Sequence, residues 1–155
     1  MVRAAGTAAT SGDHGGAIVV ADHLNNPRGL DLRQGSLYVA EAGRGGDTCI
    51  GETPEEQLCV GLTTAVVDIA FGPDGSLYAS EFTTDAATFS PVGAVVRVRP
   101  NGHRTVLGTD VLHYPGGVAV DRHGKVYVAN WSILPAGGAP GFPADARGQV
   151  VRLSR

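Results

Sequence analysis

Residues 68–81 read Asp68-Ile-Ala-Phe-Gly-Pro-Asp-Gly-Ser-Leu-Tyr-Ala-Ser-Glu81, which is a short apolar strand, a glycine-bounded turn and a second strand. The same cassette occurs at residues 29–41 and again at residues 117–130. Each copy carries one tyrosine, and successive tyrosines are 40 and 49 residues apart: Tyr38, Tyr78 and Tyr127. The repeat therefore predicts a chain built from similar antiparallel β-units.

All-β repeats of this period are typical of the blades of a β-propeller. The middle repeat continues with two further predicted strands, at residues 93–99 and 104–107, which makes one complete four-stranded blade. The last repeat gains a third strand at residues 149–153, whereas the first repeat has no clear third or fourth strand. We predict an all-β fold of about three blades, which is a partial propeller or half of a six-bladed ring.

The length of 155 residues suits one domain. Residues 1–15 are small, polar and unpatterned, so we predict a disordered leader followed by one propeller domain at 16–155. The last blade lacks its outer strand, and we expect residues 17–20 to supply it by pairing with 149–153. The first blade joins the next cassette directly near residues 62–67, which indicates an internal shortening.

Charge and cysteine content narrow the functional classes. The net charge is -3 and the basic residues are scattered, so nucleic acid is not an expected partner. No apolar run reaches the roughly 18 residues that a membrane span needs. Cys49 and Cys59 are the only cysteines. Their short spacing within one loop predicts a disulfide and an oxidising compartment, and the alternative is two free thiols in a cytosolic protein.

Two stretches, Asn25-Asn-Pro-Arg-Gly29 and Ala40-Glu-Ala-Gly-Arg-Gly-Gly46, precede the cysteines. Together with them they resemble the ScyD/ScyE family of secreted bacterial propellers, over roughly residues 17–153. The turn Phe71-Gly-Pro-Asp-Gly-Ser-Leu-Tyr78 resembles NHL repeats more broadly. The resemblance implies a six-bladed propeller, an extracellular or periplasmic location and no established reaction. Family members are about twice as long, and in this respect the chain departs from the family.

The long connections between strands share one face of the predicted blades, and loops on a rigid scaffold often carry function. The predicted ligand or partner face contains two arginines and two aromatic residues, a mixture typical of binding surfaces. The alternative is that each side chain only holds its own loop in place. The four residues are Arg28, Arg44, Tyr114 and Trp131.

Glu41, Glu81 and Asn130 occupy one cassette position, just past the Tyr-X-X of each repeat. Oxygen ligands of this kind suit Ca²⁺ or Mg²⁺, so a metal site is one hypothesis and strand capping is the alternative. Gluconolactonase-like and lyase propellers, which are related, hold a metal in the central channel. A metal-dependent lactonase or lyase is thus the enzymatic alternative. No catalytic residue is assigned, because the histidines form no acid–base pair.

These observations favour an exported binding or scaffold module over an enzyme, with no cofactor expected. Its ligand is a protein or a small molecule on the long-loop face, and a homodimer is one way to complete the ring. A second alternative is a non-functional remnant of a six-bladed protein.

Overall fold

The computed structural model describes residues 24, 26–41, 49–50, 58–59, 66–85, 90–133 and 147–154. Within these residues the chain is all-β, as predicted, with antiparallel strands and no helix, and hence no helix that could cross a membrane. The eleven strands are β1 (Pro27–Arg33), β2 (Ser36–Glu41), β3 (Cys49–Ile50), β4 (Leu58–Cys59), β5 (Val66–Phe71), β6 (Leu77–Glu81), β7 (Ala94–Val98), β8 (Arg104–Leu107), β9 (Val118–Val120), β10 (Val126–Asn130) and β11 (Gln149–Leu153).

The strands form three blades and a small ribbon. Blade A is the pair β1–β2, blade B is the four-stranded sheet β5–β6–β7–β8, and blade C is the three-stranded sheet β9–β10–β11. The ribbon is β3–β4. The complete middle blade and the three-stranded last blade are as predicted, and the fold is a partial propeller. The predicted leader at 1–15 and the predicted strand at 17–20 lie outside the described residues, as does most of the 62–67 junction.

The cassette hairpins fold around a glycine in the left-handed region. Gly35, Gly75 and Gly124 stand before the second strand of their blades, with φ of 78°, 83° and 76°. In blade A the turn is only two residues long, and Gln34 also has a positive φ, of 49°. Positive φ at both positions matches the twist of the flanking strands. Any other residue would be strained in this backbone conformation, which explains why glycine recurs at this position in every cassette.

The blades stack through the faces of their sheets, with β1 beside β5 and β5 beside β9. We call the face toward the preceding blade the leading face and the face toward the following blade the trailing face. Two apolar cores result, one at each blade junction. The A–B core contains Ala40, Val66, Ile69, Leu77, Ala79, Val96 and Val98, with Tyr38 and Phe71 against it. The B–C core contains Ala70, Tyr78, Val95, Leu112, Val118, Val126, Val128 and Leu153.

Polar contacts also join neighbouring blades. Asp31 of blade A accepts a hydrogen bond from the Phe71 backbone N–H of blade B, at 2.7 Å. Asp68 of blade B accepts one from the Val118 N–H of blade C, at 2.9 Å. Each bond satisfies an inner-strand N–H that has to be paired once the junction is buried. The blades are therefore fixed relative to one another by both burial and directional bonds.

Candidate functional site

The long-loop face is organised around the side chain of Asn130, the last residue of β10 and only 2% exposed. Its Oδ1 accepts a hydrogen bond from the His113 backbone N–H at 2.6 Å. Its Nδ2 donates to the Val111 carbonyl oxygen at 3.1 Å. Both ends of the amide thus hold the loop between blades B and C, and the loop has a defined shape as a result.

This loop carries one member of an aromatic stack, His113, and the other member, Trp131, directly follows β10. The rings of His113 and Trp131 lie parallel, 4.5 Å apart with an interplanar angle of 8°. The Trp131 backbone N–H donates to the His113 carbonyl oxygen at 2.9 Å, so the two residues are joined through main chain and side chains. Both are partly exposed. We call this pair the His113–Trp131 platform.

Tyr114 supports the platform from inside the protein. It is buried, 8% exposed, and its ring lies 4.9 Å from the ring of Phe82. Tyr114 and Trp131 have φ of 44° and 57°, a conformation that bulky residues rarely adopt. Ser132 holds the loop in this shape, since its Oγ donates to the Tyr114 carbonyl oxygen at 2.8 Å. Strain of this kind persists only where surrounding bonds over-determine it, and it concentrates at functional sites.

Of the four residues predicted for a ligand face, the structure brings two together. Tyr114 and Trp131 belong to one loop cluster, with Tyr114 inside and Trp131 partly exposed. Arg28 is exposed on β1 of blade A, and Arg44 lies outside the described residues. The residue missed from the sequence is His113, because it matches no other histidine in the repeats. Its position beside Tyr114 in the same connecting loop was the available signal.

The three residues of the metal hypothesis each end the second strand of their blade. Glu41 pairs with Pro27, Glu81 with Val66 and Asn130 with Gln149. Glu81 is buried, with 5% exposure, and Glu41 is half-buried. The amide of Asn130 is committed to the loop, which is the behaviour of a cap. Among the residues that the structure describes, no three His, Cys, Asp or Glu side chains form a group that could hold a metal.

Asp68 is a second residue that sequence reasoning missed. It lies on the inner strand of blade B, where the register places Gly29 in blade A and Gly117 in blade C. A β-carbon on Gly29 would lie 2.0 Å from Asp68 Oδ1, and one on Gly117 would lie 3.4 Å from Asp68 Oδ2. The carboxylate thus occupies the space that glycine leaves at Gly29, whereas a β-carbon on Gly117 would make only an ordinary contact with it. The signal was present in the sequence, since the three cassettes begin with Gly, Asp and Gly.

The opposite face, which carries the short turns, has a cavity of about 470 Å³ where the three inner strands end. The Arg33 guanidinium lies over the Phe71 ring, 4.9 Å from its centroid. Hydrogen bonds from the Lys125 and then the His123 backbone N–H hold the pKa of Asp121 below its usual range, so its carboxylate is charged at neutral pH. The cavity is lined by Asp31, Leu32, Arg33, Gln34, Phe71, Gly72, Pro73, Val120, Asp121 and Arg122.

The β3–β4 ribbon tests whether the two cysteines can form a disulfide, because its register places Cys49 directly opposite Cys59. Directly opposed residues in antiparallel strands have Cα atoms roughly 4.5–5.5 Å apart, within the roughly 4.4–6.8 Å that a disulfide spans. The backbone therefore supports the Cys49–Cys59 disulfide, which stays a prediction.

We expect oxidised, folded protein to contain no alkylatable thiol by mass spectrometry without reductant. Reduction should lower the free energy of unfolding by about 2–3 kcal/mol, the effect of closing a loop of this length. A Cys49→Ser, Cys59→Ser double variant is the control, because its stability should not respond to reductant. Two alkylatable thiols in the oxidised protein would disprove the disulfide.

Comparison with known proteins supports the architecture. No protein-family model matches the chain, and neither does any curated protein. The crystal structure of a protein provisionally assigned as a gluconolactonase superposes with a TM-score of 0.53 at 22% sequence identity. The match covers 81% of this chain and 48% of that protein, so the chain spans about half the length of its structural neighbour. At this identity the likeness concerns the fold.

Proposed function

We propose that this chain is an exported binding or scaffold module of the ScyD/ScyE type, and that its ligand docks on the His113–Trp131 platform. The observation that supports this proposal is the stack itself: two parallel, partly exposed rings, one on the loop held by Asn130 and Ser132 and the other directly after β10. A site built in advance in this way loses little conformational entropy on binding. Export is supported by the family resemblance and by the opposed cysteines of the ribbon.

The chemistry of the platform selects the class of ligand. A stacked imidazole and indole present a flat, largely apolar surface with polar edges, which suits a planar aromatic group on a protein segment or small molecule. Aromatic pairs contribute about 0.5–1.5 kcal/mol beyond the burial of their area. Aromatic residues of this kind are common anchors in binding surfaces.

Trp131 is the only tryptophan, so its fluorescence reports directly on the platform. We expect tyrosine-containing peptides or phenyl glycosides to change this fluorescence saturably. His113→Ala should weaken their binding roughly tenfold, because the stack is lost while the backbone N–H that anchors the loop remains. His103→Ala is the matched control, because His103 lies in the exposed turn between β7 and β8. This variant should bind the ligands like the parent. Equal affinities for both variants would refute the platform.

The enzymatic alternative, a metal-dependent lactonase or lyase, would need Glu41, Glu81 and Asn130 to hold Ca²⁺ or Mg²⁺. The gluconolactonase-like neighbour supports the fold that such an enzyme would have, and its reaction does not transfer at this identity. Asn130 fits the capping role, because its amide binds the loop at both ends. The binding module is therefore the better-supported function, and a variant of Asn130 separates the two, as discussed below.

A further inference from the structure

We propose that two copies of this chain associate head to tail, with the leading face of blade A in one copy against the trailing face of blade C in the other, and close a six-bladed ring. The inference concerns the two ends of the three-blade arc. It does not depend on the His113–Trp131 platform, so either proposal can fail without the other.

The leading face of blade A is apolar, and its two leucines on β1 are largely uncovered, whereas Val39 of β2 on the same face is buried. Leu30 is 63% exposed and Leu32 is 69% exposed. In the strand register, Leu30 and Leu32 occupy the positions that Ile69 and Phe71 occupy in blade B. Ile69 is only 2% exposed and belongs with Phe71 to the A–B core. Where a preceding blade is present, the position of Leu30 is therefore buried and that of Leu32 is half-buried.

The trailing face of blade C shows the same difference. Val150 is 73% exposed, whereas Val95, its register equivalent in blade B, is fully buried in the B–C core. Tyr127 is half-buried, whereas its equivalent Tyr78 is 2% exposed. Apolar residues at both ends of the arc thus occupy positions that are buried inside it, and their exposure is unfavourable in water.

The two uncovered faces are complementary because the junctions inside the chain already pair them. At the A–B junction the rings of Tyr38 and Phe71 pack in a T-shaped arrangement, with centroids 4.6 Å apart. At the B–C junction Tyr78 belongs to the core, Val120 packs against that core, and both lie beside Gly72. By the same rule, Tyr127 of one copy would meet Leu32 of the other. Each junction inside the chain pairs a trailing face with a leading face, so the same pairing between two copies is a head-to-tail contact.

Head-to-tail contacts close into a ring when the rotation between copies is right, and otherwise extend into filaments. This chain covers 48% of its structural neighbour, so two copies supply about the length of that fold. Closure would also complete the turn-face cavity, which the three inner strands of one copy line from one side. The partner would contribute the same residues to the other side.

The first test is the mass of the full chain in solution at micromolar concentration, by sedimentation velocity. We expect a species of twice 15.9 kDa. A monomer at all concentrations would overturn the proposal. A concentration-dependent series of larger polymers would overturn the closed ring.

The second test separates unlike from like faces. Leu32→Lys alone and Tyr127→Glu alone should each raise the dimer dissociation constant roughly 100-fold or more, because each variant buries an unpaired charge at both contacts. An equimolar mixture should recover the dimer, since it has one native contact and one contact that sets the new lysine against the new glutamate. Val106→Glu is the control, because Val106 is 58% exposed on the outermost strand of blade B, and it should stay dimeric.

A contact between like faces would respond to one of the two variants and would not recover on mixing, which would overturn the proposal. A dimer that is lost only with Val106→Glu would overturn it as well. Circular dichroism establishes that each variant is folded. Should either variant unfold, Leu30→Lys and Val150→Glu test the same two faces, since both side chains are largely exposed in the single chain.

Discussion

Replacing Gly93 with alanine is expected to lower the free energy of unfolding by about 2–3 kcal/mol, near the upper end for overpacked sites. Gly93 is buried beside the start of β7. A β-carbon there would lie 2.1 Å from Pro115 Cδ and 2.8 Å from the Glu81 carbonyl oxygen. Neither neighbour is the free end of a flexible side chain, so the backbone must move. The move would strain the bond from the Gly93 N–H to the Leu112 carbonyl oxygen, now 2.9 Å.

Denaturant unfolding of Gly93→Ala and Gly148→Ala tests this expectation. Gly148 is exposed, and a β-carbon there meets no heavy atom within 4 Å. The control should therefore stay within about 0.5 kcal/mol of the parent, the usual range for surface substitutions. Equal stabilities for the two variants would mean that the junction between blades B and C is looser than described.

Asn130→Ala is the second substitution with a large expected effect, a loss of about 1–3 kcal/mol of unfolding free energy. The change removes the buried side-chain amide that accepts from the His113 N–H and donates to the Val111 carbonyl oxygen. The platform should loosen as well, so Trp131 fluorescence should become more accessible to acrylamide. Asn101→Ala is the control, because Asn101 makes a similar bond to the His103 N–H, at 3.0 Å, in an exposed turn.

The same position distinguishes a cap from a metal ligand. Asn130→Asp keeps an acceptor for the His113 N–H and loses the donor to Val111, so a cap predicts partial destabilisation with no response to Ca²⁺. A metal site predicts instead that Ca²⁺ raises the melting temperature of the parent, and more so that of the aspartate variant, since an added carboxylate strengthens oxygen coordination. We expect the capping result. A melting temperature that rises with Ca²⁺ would favour the lactonase or lyase alternative.

The blades could be predicted from the sequence because the residues that specify each hairpin lie close together in the chain. Alternating apolar residues and a glycine in the left-handed region, such as Gly75, specify each hairpin within about fourteen residues. The repeat then reports the number of hairpins. Residues 104–107 were predicted as a strand on the same grounds, and they form β8.

The His113–Trp131 platform could not be predicted in this way. It depends on positive φ at Tyr114 and Trp131, which local propensity disfavours and which hydrogen bonds from Ser132 stabilise. Those bonds join residues 18 apart in sequence, across two strands and a turn. The bond of Asp68 to Val118 likewise spans 50 residues, and its one trace in the sequence is the glycine at the same position of the other two cassettes. Long-range contacts leave little trace in a single sequence.

The stacking of blades also determines how local stability varies along the chain. Blade B is covered on both faces, whereas blades A and C each have one described neighbour. In a linear array with nearest-neighbour coupling, an end unit is held by one interface and an interior unit by two. In a single chain the end units would therefore open first, and amide hydrogens of β6 and β7 would exchange more slowly than those of β1 or β11. A closed ring has no end units, and in it this gradient would disappear.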